Sequence, residues 1–148
     1  THKRRCAIAI WCTYRHGKIE AVSYDAGGKE IGRNTLRSAG KETCLRALPE
    51  QPAVAPGGLS YVRLKYTDGA GLTKPLCRGQ LKVEVTGGKL LGLGSACPYY
   101  ETDMSYLDDV CDTYFGEALA VVQAGEPGRL TLTVTDGTRS DQAYVTIQ

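Results

Sequence analysis

Apolar and polar residues alternate with a period of two along most of this chain, the pattern of strands that bury one face and wet the other. In residues 59–66, Val62, Leu64 and Tyr66 stand opposite Tyr61, Arg63 and Lys65. In residues 80–85, Leu81, Val83 and Val85 alternate with Gln80, Lys82 and Glu84. In residues 129–135, Leu130, Leu132 and Val134 alternate with Thr131, Thr133 and Thr135. The runs GGKLLGLGSA at 87–96 and EALAVVQA at 117–124, with residues 44–48 and 142–148, complete a set of about seven short strands. Asp68-Gly69, Gly87-Gly88, Glu126-Pro127-Gly128 and Asp136-Gly137 supply turn chemistry between them. The fold expected is all-β, an antiparallel immunoglobulin-like β-sandwich.

The first forty residues read as a separate unit. Residues 5–11 and 18–24 are expected strands with His16-Gly17 turning between them, and Asp25-Ala26-Gly27-Gly28 turns into a further strand over 29–36. We place the boundary at Gly40-Lys41, giving a unit of residues 1–40 and a sandwich of residues 41–148. Residues 49–58, with three prolines and two glycines, are expected to run extended over the surface as an early loop of the sandwich. One segment breaks the strand pattern. Leu107, Val110, Cys111 and Tyr114 recur at helical spacing behind Ser105 and Asp108, so a single helical turn is expected there.

Composition narrows the class. The chain has 18 glycines but one Phe, one Trp and one Met, which suits short strands and tight turns. Formal charge is +2 and the basic residues are scattered apart from His2-Lys3-Arg4-Arg5, so a nucleic-acid partner is not expected. No apolar run approaches the roughly 20 residues of a membrane span, and no signal-peptide pattern is present. Opening on Thr rather than Met, the chain is expected to be a piece of a longer polypeptide. Its six cysteines are dispersed without the spacing of a zinc site. Cys6 and Cys44 fall at expected apolar-face positions, where a thiol acts as a small hydrophobe. Unpaired thiols in a reducing, cytoplasmic compartment are therefore favoured, with Cys97 and Cys111 the one pair open to a bridge.

Two segments together resemble a known family. Residues 85–124 run from a glycine-punctuated strand through an acidic, tyrosine-bearing loop into a second apolar strand. Residues 14–40 place Tyr14, Gly17, Ile19, Ala21, Val22, Tyr24, Asp25, Gly28, Lys29, Glu30, Ala39 and Gly40 in a hairpin pattern, with Thr13 where that pattern has proline. This order resembles the C-terminal region of family 2 glycoside hydrolases, the bacterial β-galactosidases and their relatives, including the end of the small β-sandwich before the last domain. The resemblance implies a non-catalytic structural domain of a β-galactosidase-like parent, acting by interdomain packing, at the active-site entrance or in oligomer contacts. It also implies that the first unit is truncated, with a β-edge that another segment must cover. The partners expected are the parent's upstream domains, carbohydrate, and further subunits of a homo-oligomeric parent. The alternative reading is an independent carbohydrate-binding module or an adhesin-type immunoglobulin-like domain. No internal repeat supports an adhesin array.

Catalysis by this chain is not expected. The family's two catalytic glutamates lie on a (β/α)₈ barrel of about 250 residues, which this length cannot hold. No nucleophile elbow, zinc-protease motif or P-loop is present, and with two histidines in the first forty residues a catalytic triad is not expected. Gly92-Leu93-Gly94 lacks the helix and third glycine of a phosphate cradle, so it reads as a bulge or a close strand approach. No cofactor or metal is expected. The remaining candidates lie in the loop of residues 97–112. There Tyr99, Tyr100, Glu101, Asp103 and Tyr106 are the proposed carbohydrate or interdomain contacts, since tyrosines stack on sugar rings and carboxylates accept from their hydroxyls. Asp108, Asp109 and Asp112 add acids, but the calcium-loop spacing that would supply roughly six to eight oxygens is absent.

Overall fold

The computed structural model describes residues 9–99 and 105–148. The chain divides into two compact units, one ending at Ser38 and the other running Ala39–Gln148.

The first unit contains an antiparallel hairpin of β1 (Lys18–Tyr24) and β2 (Glu30–Arg37). Its turn forms because the Asp25 carboxylate accepts from the backbone N–H groups of Gly27 and Lys29, both at 2.9 Å, while Gly28 takes a φ of +82°. Ile19 lies opposite Leu36 in the register, yet they are 65% and 71% exposed. Among the described residues of this unit the hairpin has no second layer against which to bury them. The strand expected over residues 5–11 is corrected where it is described. Residues 9–11 pair with no strand, and Ile10 and Trp11 are exposed. Residues 5–8, with Cys6, lie outside the described residues.

The second unit is an immunoglobulin-like β-sandwich. One sheet holds β3 (Cys44–Pro49), β5 (Leu59–Thr67), β9 (Glu117–Ala124) and β7 (Gly88–Gly94), in that order. The other holds β4 (Ala53–Val54), β11 (Ser140–Ile147), β10 (Gly128–Thr135), β6 (Gln80–Thr86) and β8 (Val110–Asp112). The alternating apolar positions meet between the sheets. Val62, Leu64 and Tyr66 from one layer pack in a single core with Leu81, Val83, Leu130, Leu132 and Val134 from the other. Burying each Leu or Val there contributes about 1.5–3 kcal/mol.

Four local expectations change. The extended linker contains β4, which pairs parallel with β11 and so extends that sheet by one strand. The helical turn after Ser105 is a hydrogen-bonded turn, with Asp108 N–H donating to the Ser105 carbonyl at 3.1 Å, and it leads into β8. Pairing with β6 wins because three residues of ladder outweigh a helix too short to propagate. Cys44 is half-buried on the outward face of β3, since Leu45 and Ala47 take the core positions. Finally, two short strands, β4 and β8, raise the number of strands in the sandwich above the expected set.

The free edge of β3 is closed by the other sheet. Asp141 from β11 accepts the Ala47 N–H at 2.9 Å, an inward-pointing charge on an otherwise open ladder. Inside the core, Ser60 is 2% exposed and its hydroxyl has no hydrogen-bond partner. An orphaned buried hydroxyl carries its full desolvation cost. Ser60→Ala is therefore expected to raise stability by about 1 kcal/mol, read as a higher urea midpoint at unchanged slope. A lower midpoint would show that the hydroxyl is satisfied in solution.

Candidate functional site

Three features of the sandwich carry polar chemistry or an open cleft. The first lies at the hairpin between β10 and β11. Asp136 Oδ1 accepts from the backbone N–H of Thr138 at 2.9 Å and of Arg139 at 2.6 Å. Its Oδ2 accepts from the Tyr66 hydroxyl at 3.0 Å and the Arg139 guanidinium at 2.9 Å. Burial disfavours the carboxylate's charge, but these donors outweigh it and hold its pKa at about 2. Burial first, then the Asp136 hydrogen bond and charge, push the Tyr66 hydroxyl well above its usual range, so it stays a donor. The Asp136 carboxylate is 8% exposed and engages both its oxygens with protein donors, so the cluster joins the two sheets.

The second feature pins the start of the sandwich. Asp68 accepts from the backbone N–H groups of Gly40 at 2.7 Å, Leu72 at 2.8 Å and Ala70 at 3.0 Å, bonds that lower its pKa. The Lys74 ammonium donates to the carbonyls of Lys41 and Glu42 and to Thr43 Oγ1, at 2.7–3.0 Å. Residues 40–43 are thereby fastened to the turn after β5.

The third feature is a groove of about 890 Å³ on the outer face of the β3–β5–β9–β7 sheet. Its floor follows from the register. Gly92 lies opposite Val121, and Gly94 opposite Leu119, so the outward positions of β7 carry no side chain beside the apolar ones of β9. The expected bulge occurs between Leu90 and Gly92. Gly94 is needed for a second reason: any Cβ there would strike the Tyr106 ring. Tyr106 forms one wall, 69% exposed, and its carbonyl accepts the Leu93 N–H at 2.8 Å.

A further wall is the turn from Tyr114 to Glu117. Tyr114 and Glu117 exchange both backbone hydrogen bonds, at 3.0 and 3.1 Å. The two residues between them, Phe115 and Gly116, have φ of +49° and +74°. Positive φ at both central positions marks a type I′ turn, which favours Asn-Gly and disfavours a bulky side chain in the first place. Phe115 in this conformation costs on the order of 1 kcal/mol. Its ring is nonetheless 58% exposed and meets Tyr114 edge-on, with centroids 4.5 Å apart. Arg63, Glu50 and Glu117 also line the groove; Arg63 pairs with Glu50, and Glu117 with Lys65, both at 2.8 Å.

Of the loop residues singled out from the sequence, Tyr106 reaches the groove, while Tyr99 is exposed and does not line it. Tyr100, Glu101 and Asp103 lie outside the described residues. No disulfide joins Cys97, half-buried, to Cys111, buried in β8. Among the described residues no group of His, Cys, Asp or Glu is placed to hold a metal ion. Phe115, Leu119 and Val121 were not singled out. The signal for Leu119 and Val121 lies in EALAVVQA, where the solvent-side positions of the strand are apolar; Phe115 precedes that run and carries no such signal.

Known proteins match this architecture. The chain aligns over 93% of its length with a glycosyl hydrolase family 2 member from Bacteroides cellulosilyticus, at 30% identity and a TM-score of 0.83. It also aligns over 91% of its length with a family 2 structure from B. cellulosilyticus DSM 14838, at 32% identity and a TM-score of 0.79. A β-glycosidase from Bacteroides vulgatus follows at 26% identity, 90% coverage and a TM-score of 0.75. The chain spans only 18%, 19% and 18% of those three chains. No curated protein sequence matches. The glycoside hydrolase family 2 C-terminal domain 5 matches residues 50–145, and by that match the chain belongs to glycoside hydrolase family 2 and carries this C-terminal domain.

Proposed function

We propose that this chain is a non-catalytic accessory part of a larger β-galactosidase-like glycoside hydrolase, which cleaves O-glycosyl bonds and to which it contributes by packing against upstream domains. The observation that carries the reading is the first unit. Its hairpin exposes Ile19, Tyr24, Ile31 and Leu36, and among the described residues no core of the unit covers them. Residues of this kind are buried once the remainder of a small sandwich and its neighbours are present. The structural relatives are consistent with a hydrolase parent, being described as glycosyl hydrolase family 2 members and a β-glycosidase.

Two measurements on the 148-residue chain test the reading. Incubated with p-nitrophenyl β-galactoside and β-glucuronide, it is expected to release no nitrophenol above the solvent rate. Turnover that survives repurification would sink the accessory role. In limited trypsin digestion, cleavage is expected first at Lys18, Arg33 or Arg37, leaving the Ala39–Gln148 sandwich intact. A hairpin as resistant as β5 and β9 would show that the first unit needs no partner domain.

A further inference from the structure

We propose that the outer-face groove between Tyr106 and Phe115 is a binding site for an uncharged pyranose oligosaccharide. This rests on the glycosidase reading and extends it, making the accessory domain a hold for a glycan chain.

Three independent observations converge. The first is shape: the Tyr106 ring itself covers Gly94, and Gly92 carries no side chain beside Val121, so a flat ring can lie next to Tyr106 against Leu119 and Val121 of β9. The second is the pair of exposed aromatic walls. The apolar C–H face of a pyranose stacks on such rings, as does no freely hydrated ion. Phe115 is the more telling wall because the backbone would be better served by Asn at that position. A strained residue whose side chain is presented to solvent points to a use for that side chain. The third is charge. Each of the three charged residues lining the groove is paired, Arg63 with Glu50 and Glu117 with the neighbouring Lys65, so the described residues leave no unpaired charge there for an ion. Paired carboxylates and cations still hydrogen-bond hydroxyls, and Thr73 and Ser95 at the rim add two more hydroxyls. A neutral polyhydroxylated ligand suits this balance and an anionic one does not. The second sheet offers a contrast, since its outward positions are largely threonine, Lys82, Glu84 and Gln142, and its one outward aromatic in β6, β10 and β11, Tyr144, has the Arg129 guanidinium 5.3 Å from its ring.

The test uses the 148-residue chain and amide NMR titration with β-1,4-galactotetraose, cellotetraose, xylotetraose and mannotetraose, with tetragalacturonate as the anionic comparator. At least one neutral tetrasaccharide is expected to give saturable shifts at residues 92–96, 106 and 114–121, at about millimolar affinity. Phe115→Asn is expected to weaken that binding at least tenfold while melting at an equal or higher temperature. Tyr106→Ala is expected to weaken it to a similar degree. The proposal is overturned by no saturable shift with any neutral probe, by tighter binding of tetragalacturonate, or by full binding in Phe115→Asn. Sedimentation that shows a dimer lost on Phe115→Asn would overturn it too, by assigning the groove to a second copy. Failure of this test in a chain that is also inert toward the nitrophenyl glycosides leaves the accessory role standing without the site. Turnover by the chain would instead remove the accessory role, whatever the titration shows.

Discussion

Asp136→Ala is expected to cost about 2–4 kcal/mol at neutral pH, a large share of the roughly 5–15 kcal/mol that holds a domain of this size. The carboxylate is 8% exposed and accepts four hydrogen bonds, from two backbone groups, a guanidinium and a buried tyrosine. Removing it strands the Tyr66 hydroxyl between the sheets and frees Arg139, which also donates to the Thr43 carbonyl at 2.9 Å. Urea unfolding at pH 7 measures the effect as a lower midpoint. The loss should also depend on pH in a defined direction. The folded pKa of about 2 lies below the ordinary 3.8, so the unfolded chain binds more protons between those values. Stability from this group is complete above the ordinary value and disappears as pH falls through about 2. The gap between wild type and variant should therefore narrow from pH 5 to pH 2. Equal midpoints at pH 7, or a gap that widens in acid, would contradict the role given to this cluster.

Gly87→Ala is expected to cost about 2–4 kcal/mol, against about 1 kcal/mol for Gly137→Ala. Both glycines have positive φ, +75° and +84°, so both alanines incur left-handed strain. The surroundings differ. A Cβ at Gly137 meets nothing within 4 Å, whereas one at Gly87 would run into the Arg129 carbonyl oxygen. Gly87 connects β6 in one sheet to β7 in the other, so the chain crosses there against the backbone of β10. Backbone on both sides cannot yield as a flexible side chain would. Thermal unfolding of the two variants separates conformational strain from the clash, and equal losses would rule the clash out.

Most of the strands were legible because burial of one face imposes a period of two, which local sequence records directly. Strand β9 runs over Glu117–Ala124 and β1 over Lys18–Tyr24, as the alternation and turn residues indicate. Where reading failed, a distant partner decided. Ala53-Val54 lies in a proline-rich stretch with no strand pattern, and becomes β4 because β11 offers it a parallel edge. Val110 and Cys111 fit helical spacing equally well, and the ladder to β6 settles the matter. Cys44 was placed on the wrong face because a short strand with Leu at 45 and 48 allows either register.

The candidate site divides in the same way. Tyr106 and the two glycines of β7 drew attention as residue types, and sequence alone supplied that much. That they adjoin, with the Tyr106 ring over Gly94 and Phe115 lining the same groove, depends on which strands neighbour one another. From the sequence by itself came the all-β class, the alternation that fills the core, and the resemblance to family 2 glycoside hydrolases, since each is written in local order. The groove, the Asp136 junction between sheets and the strained turn at Phe115 came only from the tertiary structure. They arise from contacts between residues far apart in the chain, and no local pattern encodes such contacts.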